Sequence, residues 1–202
     1  MHLSSFEQIR TLAAEASPGL WAEAQEVFSA PKIYLHWTMK PYDVLDDTYD
    51  VNIDKNGEVY ISDDAFSTGK WSIVHRSKGS VSIAVCCAEG ATPEDIGKYP
   101  PTYEQLDGIA KAAAIIAKAL GIPVCKEYIL THGEAAAGED NGFLHPHYAL
   151  WDHDLAINKG LVWDLEYFGS NEVAEYNPRG AMRGGDALRE RIQWFSNGEV
   201  AE

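Results

Sequence analysis

Two histidines stand where short apolar runs end. Ile33-Tyr34-Leu35-His36-Trp37-Thr38 follows Pro31 and reads as a buried β-strand, with His36 at its carboxyl end. Tyr128-Ile129-Leu130-Thr131 reads as a second strand and runs directly into His132. A strand end holds a side chain still while leaving it open to a crevice, where α/β sheets usually bind ligands. Two imidazoles so placed suit a metal. A catalytic zinc site takes three ligands of the His, Asp, Glu or Cys type and keeps a further position for water. Asp164, between Trp163 and Leu165, is an attractive third ligand, yet Asp152, Asp154, His145, His147 and His153 remain open alternatives. Either histidine alone has a plainer reading, a satisfied structural residue beside an apolar strand. Glu134, two residues after His132, is a candidate general base or a group that orients a ligand imidazole.

The elements that would position these groups can be read in order. Residues 4–28 have helical character, capped by Ser4 or Ser5 with Glu7 or Gln8 at capping-box spacing. Ser17-Pro18-Gly19 is expected to break this stretch into two short helices. Leu20, Ala24, Val27 and Phe28 form the apolar face of the second. After a polar connection through Tyr42 to Asp47, residues 48–53 and 58–62 read as strands. They are joined by Asp54-Lys55-Asn56-Gly57, in which Asn-Gly supplies positive φ angles. Ser80 to Cys87 is strongly apolar and reads as a central strand. Thr102 and Gln105 form a capping box ahead of Leu106, Ile109, Ala110, Ala113, Ile116, Ala117 and Leu120, which keep helical spacing until Gly121 and Pro123. Residues 133–160 read as a long surface loop, and residues 185–195 as a helix capped by Asp186. A tight hairpin cannot join parallel strands, so the sheet is expected to be mixed, in an α/β domain flanked by helices.

Composition narrows the function. The chain has 202 residues, suited to one domain, and 46% of them are hydrophobic. Its 31 acidic against 16 basic residues give a formal charge of −15, which argues against nucleic acid or an anionic membrane as partner. Cys86, Cys87 and Cys125 are an odd set without disulfide spacing, and Cys86 and Cys87, in an apolar strand, read as buried free thiols. The opening residues lack a basic and then apolar leader, and no apolar run approaches the ~20 residues of a membrane helix. The expectation is a soluble protein made in the cytoplasm, reaching any outside target by another route.

Several segments, in order, resemble the zinc-dependent N-acetylmuramoyl-L-alanine amidases, the family of phage endolysins and peptidoglycan recognition proteins. His36-Trp37-Thr38 is similar to its His-x-Thr strand end. Tyr49 to Val59 resembles its hairpin, His75 with Ser82-Ile83-Ala84-Val85 its central strand, and Thr102-Tyr103-Glu104-Gln105 the start of its long helix. Thr131-His132-Gly133-Glu134 resembles its second ligand with a Glu two residues on, and Trp163-Asp164-Leu165 the third ligand of some phage members. The resemblance spans roughly residues 32–168 and implies a single amidase-like domain over 1–202. Residues 1–30 would be an N-terminal helical extension, 32–168 the core and 185–196 a C-terminal helix.

The resemblance implies that His36, His132 and Asp164 bind Zn2+ and that peptidoglycan or a muropeptide is the partner. The reaction would be hydrolysis of the amide between N-acetylmuramic acid and L-alanine. Tyr49 would match a catalytic tyrosine of the phage-lysozyme branch, placed to hydrogen-bond the oxyanion. Cys86 stands where that branch has an apolar residue or Cys. The branch's catalytic Lys has no counterpart: Val162 occupies its position, and the nearest Lys is Lys159. Glu166 follows Asp164 by two and reads as a solvated carboxylate. His75 and Trp37 are candidate substrate contacts; Trp37, Trp71 and Trp151 could stack on sugar rings, against the plainer reading of core tryptophans. Release to the wall by a phage-type route would fit a chain without a leader, and a cytoplasmic wall-recycling enzyme would fit equally. Two alternatives stand: a non-catalytic peptidoglycan-binding module, which Val162 favours, and a metal-independent structural protein.

Overall fold

A computed structural model describes residues 1–67, 76, 78–92, 95–136, 164–165 and 184–199. The expectations for Trp71, His75, His145, His147, Trp151, Asp152, His153, Asp154, Lys159, Val162, Trp163, Glu166 and most of the 133–160 loop lie outside the described residues. Among the described residues, six strands form one mixed sheet: β1 (His2–Leu3), β2 (Lys32–Trp37), β3 (Val51–Ile53), β4 (Val59–Ile61), β5 (Ser80–Val85) and β6 (Ile129–Thr131). Their spatial order is β1-β4-β3-β5-β2-β6. The pairs β3–β5, β5–β2 and β2–β6 are parallel, whereas β4 runs antiparallel to β1 and β3. The α/β mixed sheet expected from the strand and hairpin pattern is therefore present.

Helix α1 (Phe6–Glu26) and helix α2 (Tyr103–Leu120) pack together over the sheet face that carries Ile33, Leu35 and Trp37. Val81, Ile83, Val85, Ile9, Ala13, Leu106 and Ile109 complete that core. The opposite face carries Tyr34 and His36 from β2, with Ser82 and Ala84 of β5 in register beside them. The period-2 alternation of a strand thus sends Trp37 to one side and His36 to the other. A short helix, α3 (His132–Ala136), follows β6 directly, and Ala135 packs with Tyr34 and Leu130 on the His36 face. Helix α4 (Gly184–Trp194) packs against α2 and β6.

The caps of α2 are those the sequence indicates. Thr102 and Gln105 form the capping box, and Gly121 adopts the left-handed conformation, φ 68°, at the end. Ser5 and Gln8 cap α1 in the same way.

Five expectations need correction. The stretch around Pro18 is one continuous helix, not two. Burial of Leu20 and Ala24, and donation by Trp21 Nε1 to Leu120 O at 2.9 Å, hold its second half in line despite the missing N–H. Phe28 is 77% exposed rather than packed, because it lies past the helix end at φ 57°. At the hairpin only Gly57 has positive φ, 79°; Asp54 accepts the Gly57 N–H, so Asn56 need not leave the right-handed region. Residues 133–136, read as the start of the loop, are helical and belong to α3 (His132–Ala136). Asp186 lies inside the first turn of α4 and binds Arg189, rather than serving as the cap.

The helical N-terminal stretch is continuous with the main core. Ile9, Ala13 and Leu20 belong to the same hydrophobic cluster as the sheet, α2 and Leu188 and Ile192 of α4.

Candidate metal centre

Parallel pairing of β2 with β6 creates the site. Leu35 stands opposite Thr131 in that register, so the next residues along, His36 and His132, come side by side. Their ring centroids are 4.9 Å apart. Asp164 reaches the same point from more than thirty residues downstream. Ligand atoms of His36, His132 and Asp164 all lie within 4.8 Å of one another, and all three residues are buried. This buried cluster could hold a metal ion.

The backbone orients the carboxylate. Trp37 N donates to Asp164 Oδ1 at 3.0 Å, which turns Oδ2 towards the imidazoles. His132 Nδ1 donates to Oδ2 at 2.9 Å, and His36 Nδ1 lies 3.8 Å from the same oxygen. Gly133 N donates to Asp164 O at 3.1 Å and ties the ligand segment to α3.

Electrostatics keep His36 and Asp164 in ligand form. Burial drives the His36 imidazole down to about 4, opposed by the Asp164 carboxylate and reinforced by His132. Burial alone would raise the Asp164 carboxyl. The neighbouring imidazoles, His132 before His36, outweigh it and leave that group below its ordinary value. His36 is therefore neutral and Asp164 ionised near neutral pH, as metal ligands must be. Nδ1 and Nε2 of His36 and Nε2 of His132 are buried without a hydrogen-bond partner among the described residues. Buried polar atoms are rarely left so. Two imidazoles with open nitrogens and an ionised carboxylate are a donor set that suits a metal ion.

The other expected residues fall into three groups. Tyr49 sits beside the site, with its ring centroid 4.9 Å from that of His36. It belongs to the turn before β3 rather than to the strand itself. Burial, then the Asp164 and Asp46 carboxylates, push its phenol well above the usual tyrosine range. Trp37 is a correction. Its side chain is 1% exposed within the helix-side core, so it cannot stack on a sugar, and it serves the site through its backbone N–H. Glu134 is wholly buried, and its carboxylate accepts from both terminal nitrogens of Arg189 at 2.7 Å and from Thr131 N at 3.0 Å. Burial raises the Glu134 carboxyl, but Arg189 more than offsets this and holds it below its ordinary value.

Arg189 is the residue that sequence reasoning missed. An arginine on an exposed-looking C-terminal helix carries no signal of burial. The Thr131-His132-Gly133-Glu134 spacing carries a different signal, a helix start, since it matches a capping box. Cys86 is buried, with Sγ 3.7 Å from Asn52 Oδ1. Burial pushes its thiol up to about 12, so it is no nucleophile near neutrality.

A scan against protein-family models finds no match to the chain, and a search of curated protein sequences finds none either. No helix among the described residues is long and apolar enough to cross a membrane.

Proposed function

We propose that the chain is a zinc-dependent amide hydrolase acting on peptidoglycan at the bond between N-acetylmuramic acid and L-alanine. The observation that carries the metal reading is the convergence of His36, His132 and Asp164, with buried ring nitrogens left open. The substrate follows from the ordered resemblance of motifs between residues 32 and 168. His36, His132 and Asp164 would hold the ion. Zinc in such a site polarises a substrate carbonyl and makes water acidic enough to attack it near neutral pH.

The protein's own groups do the rest. Trp37 N–H fixes the carboxylate, so that Oδ2 rather than Oδ1 faces the imidazoles. Tyr49 stays protonated at neutral pH and can donate its hydroxyl hydrogen to the oxyanion that forms on the amide carbonyl. Glu134 already accepts from Arg189 and Thr131, which supports the orienting role over that of general base. Release to the wall by a phage-type route fits this reading, and so does wall recycling inside the cell.

The test is metal analysis of purified protein beside its His36→Ala and His132→Ala forms, with assay of new L-alanine amino termini released from peptidoglycan. Zinc near one per chain and loss of release in both variants are expected. Muropeptide binding without release would instead make the chain a non-catalytic binding module. A melting temperature indifferent to chelator, with no metal found, would leave a structural protein.

A further inference from the structure

We infer that Arg189 of α4 is a positioning residue for the metal centre, acting through Glu134; the inference rests on the metal reading above. Thr131 and Glu134 bind each other reciprocally. Glu134 N donates to Thr131 Oγ1 at 3.0 Å, and Thr131 N donates to Glu134 Oε2 at 3.0 Å. This capping box frames the first turn of α3, and His132 is the first residue inside it. The same turn carries Gly133 N, which holds the Asp164 backbone at 3.1 Å. Two of the three candidate ligands therefore depend on where α3 begins.

Arg189 fixes that start from outside. Its Nη1 donates to Glu134 Oε2 at 2.7 Å and to Ile129 O of β6 at 3.0 Å, while Nη2 donates to Glu134 Oε1 at 2.7 Å. Asp186 accepts from Nη2 at 2.6 Å and holds the guanidinium from its own helix. The fork spans the strand before the box and the carboxylate that closes it. Gly185 makes room: a Cβ there would lie 2.6 Å from Glu134 Oε2. A buried ion pair is weak evidence for stability, since desolvation offsets most of its attraction. Its two-point geometry does fix direction. Here the direction fixed is that of the corner carrying His132.

The test uses the full chain with Co2+ as a spectroscopic probe. Glu134→Gln and Arg189→Lys remove the two-point charge pairing with little change in volume. Arg191→Met is the control: Arg191 lies on the same helix but pairs with Asp107 of α2 at 2.8 and 2.9 Å, away from α3. Loss of outer partners of metal ligands typically weakens binding about 10- to 100-fold. Glu134→Gln and Arg189→Lys should bind Co2+ at least about tenfold more weakly, with an altered visible absorption band, while Arg191→Met keeps the wild-type affinity and band. Wild-type affinity and band in both test variants, or equal loss in Arg191→Met, overturns the inference while the metal reading stands. A wild-type chain that takes up no Co2+ overturns the metal reading as well. Should the test variants fail to fold, amide exchange of the wild-type chain decides. Zn2+ should slow exchange at Thr131 and around Arg189, and unchanged exchange around Arg189 overturns the inference.

Discussion

Both ring nitrogens of His36 are buried without partners among the described residues, at a cost of about 1–3 kcal/mol for each unmet group unless a ligand takes it. Metal-free protein should therefore show its weakness in pH dependence. The folded His36 titrates at about 4 against an ordinary value of 6.5. Between those values the unfolded chain takes up a proton that the folded one refuses, so stability falls as pH drops through this window. At about 1.4 kcal/mol per pH unit the loss approaches about 3 kcal/mol. Denaturant titration of chelator-treated protein at pH 7 and pH 4.5 checks this, and His36→Ala should flatten the slope. Asp50 is the opposite case, a buried carboxylate fully used. It accepts from Phe66 N at 2.9 Å, Ser82 N at 2.8 Å and Ser82 Oγ at 2.9 Å. Asp50→Ala strands those donors and should cost about 3 kcal/mol in a denaturant midpoint measurement. The sequence shows Asp50 as one more acidic residue; three buried donors converging on it is a property of the assembled loop and strands.

Elements differ in how openly the chain announces them. Helix α2 is declared by residues no more than four apart: its capping box, its apolar period and Gly121. Helix α1 is not, because Pro18 argues locally for a break that packing overrides. Gly19 sits next to it inside the helix, with nothing within 4 Å of a built Cβ. Gly19→Ala should therefore raise stability by about 1 kcal/mol, read as a higher melting temperature. Gly108 of α2 behaves oppositely, since a Cβ there would meet Ile53 Cγ2 at 2.7 Å. Gly108→Ala should push α2 off the sheet and cost about 1–3 kcal/mol by the same measurement. Strand β1, of two residues, has no sequence signal of its own and exists through its pairing with Tyr60 and Ile61.

For the molecule as a whole, the proposed ion is a cross-link among β2, α3 and the Asp164 segment. A ligand that binds only the folded state stabilises it by about 2.7 kcal/mol at a hundredfold excess over its Kd. In a chain of this size that raises Tm by roughly 5–10 °C. Calorimetry with and without Zn2+ should show the rise in wild-type protein and none in Asp164→Ala. The formal charge of −15 adds a salt dependence, because screening relieves repulsion within the fold.

His36 and His132 each stand out in the sequence, because a histidine closing an apolar run is a local pattern. Asp164 is one carboxylate among several until the fold is known. Their meeting depends on β6 lying beside β2 in parallel register, a pairing across nearly a hundred residues that no local preference encodes. The same holds for Trp37, turned into the core by the pleat, and for Arg189, drawn under α3 by the docking of α4. Short-range hydrogen bonds and apolar periods are written within a few residues of each other; long-range contacts are set by which faces bury together, and that is settled only when the whole chain packs.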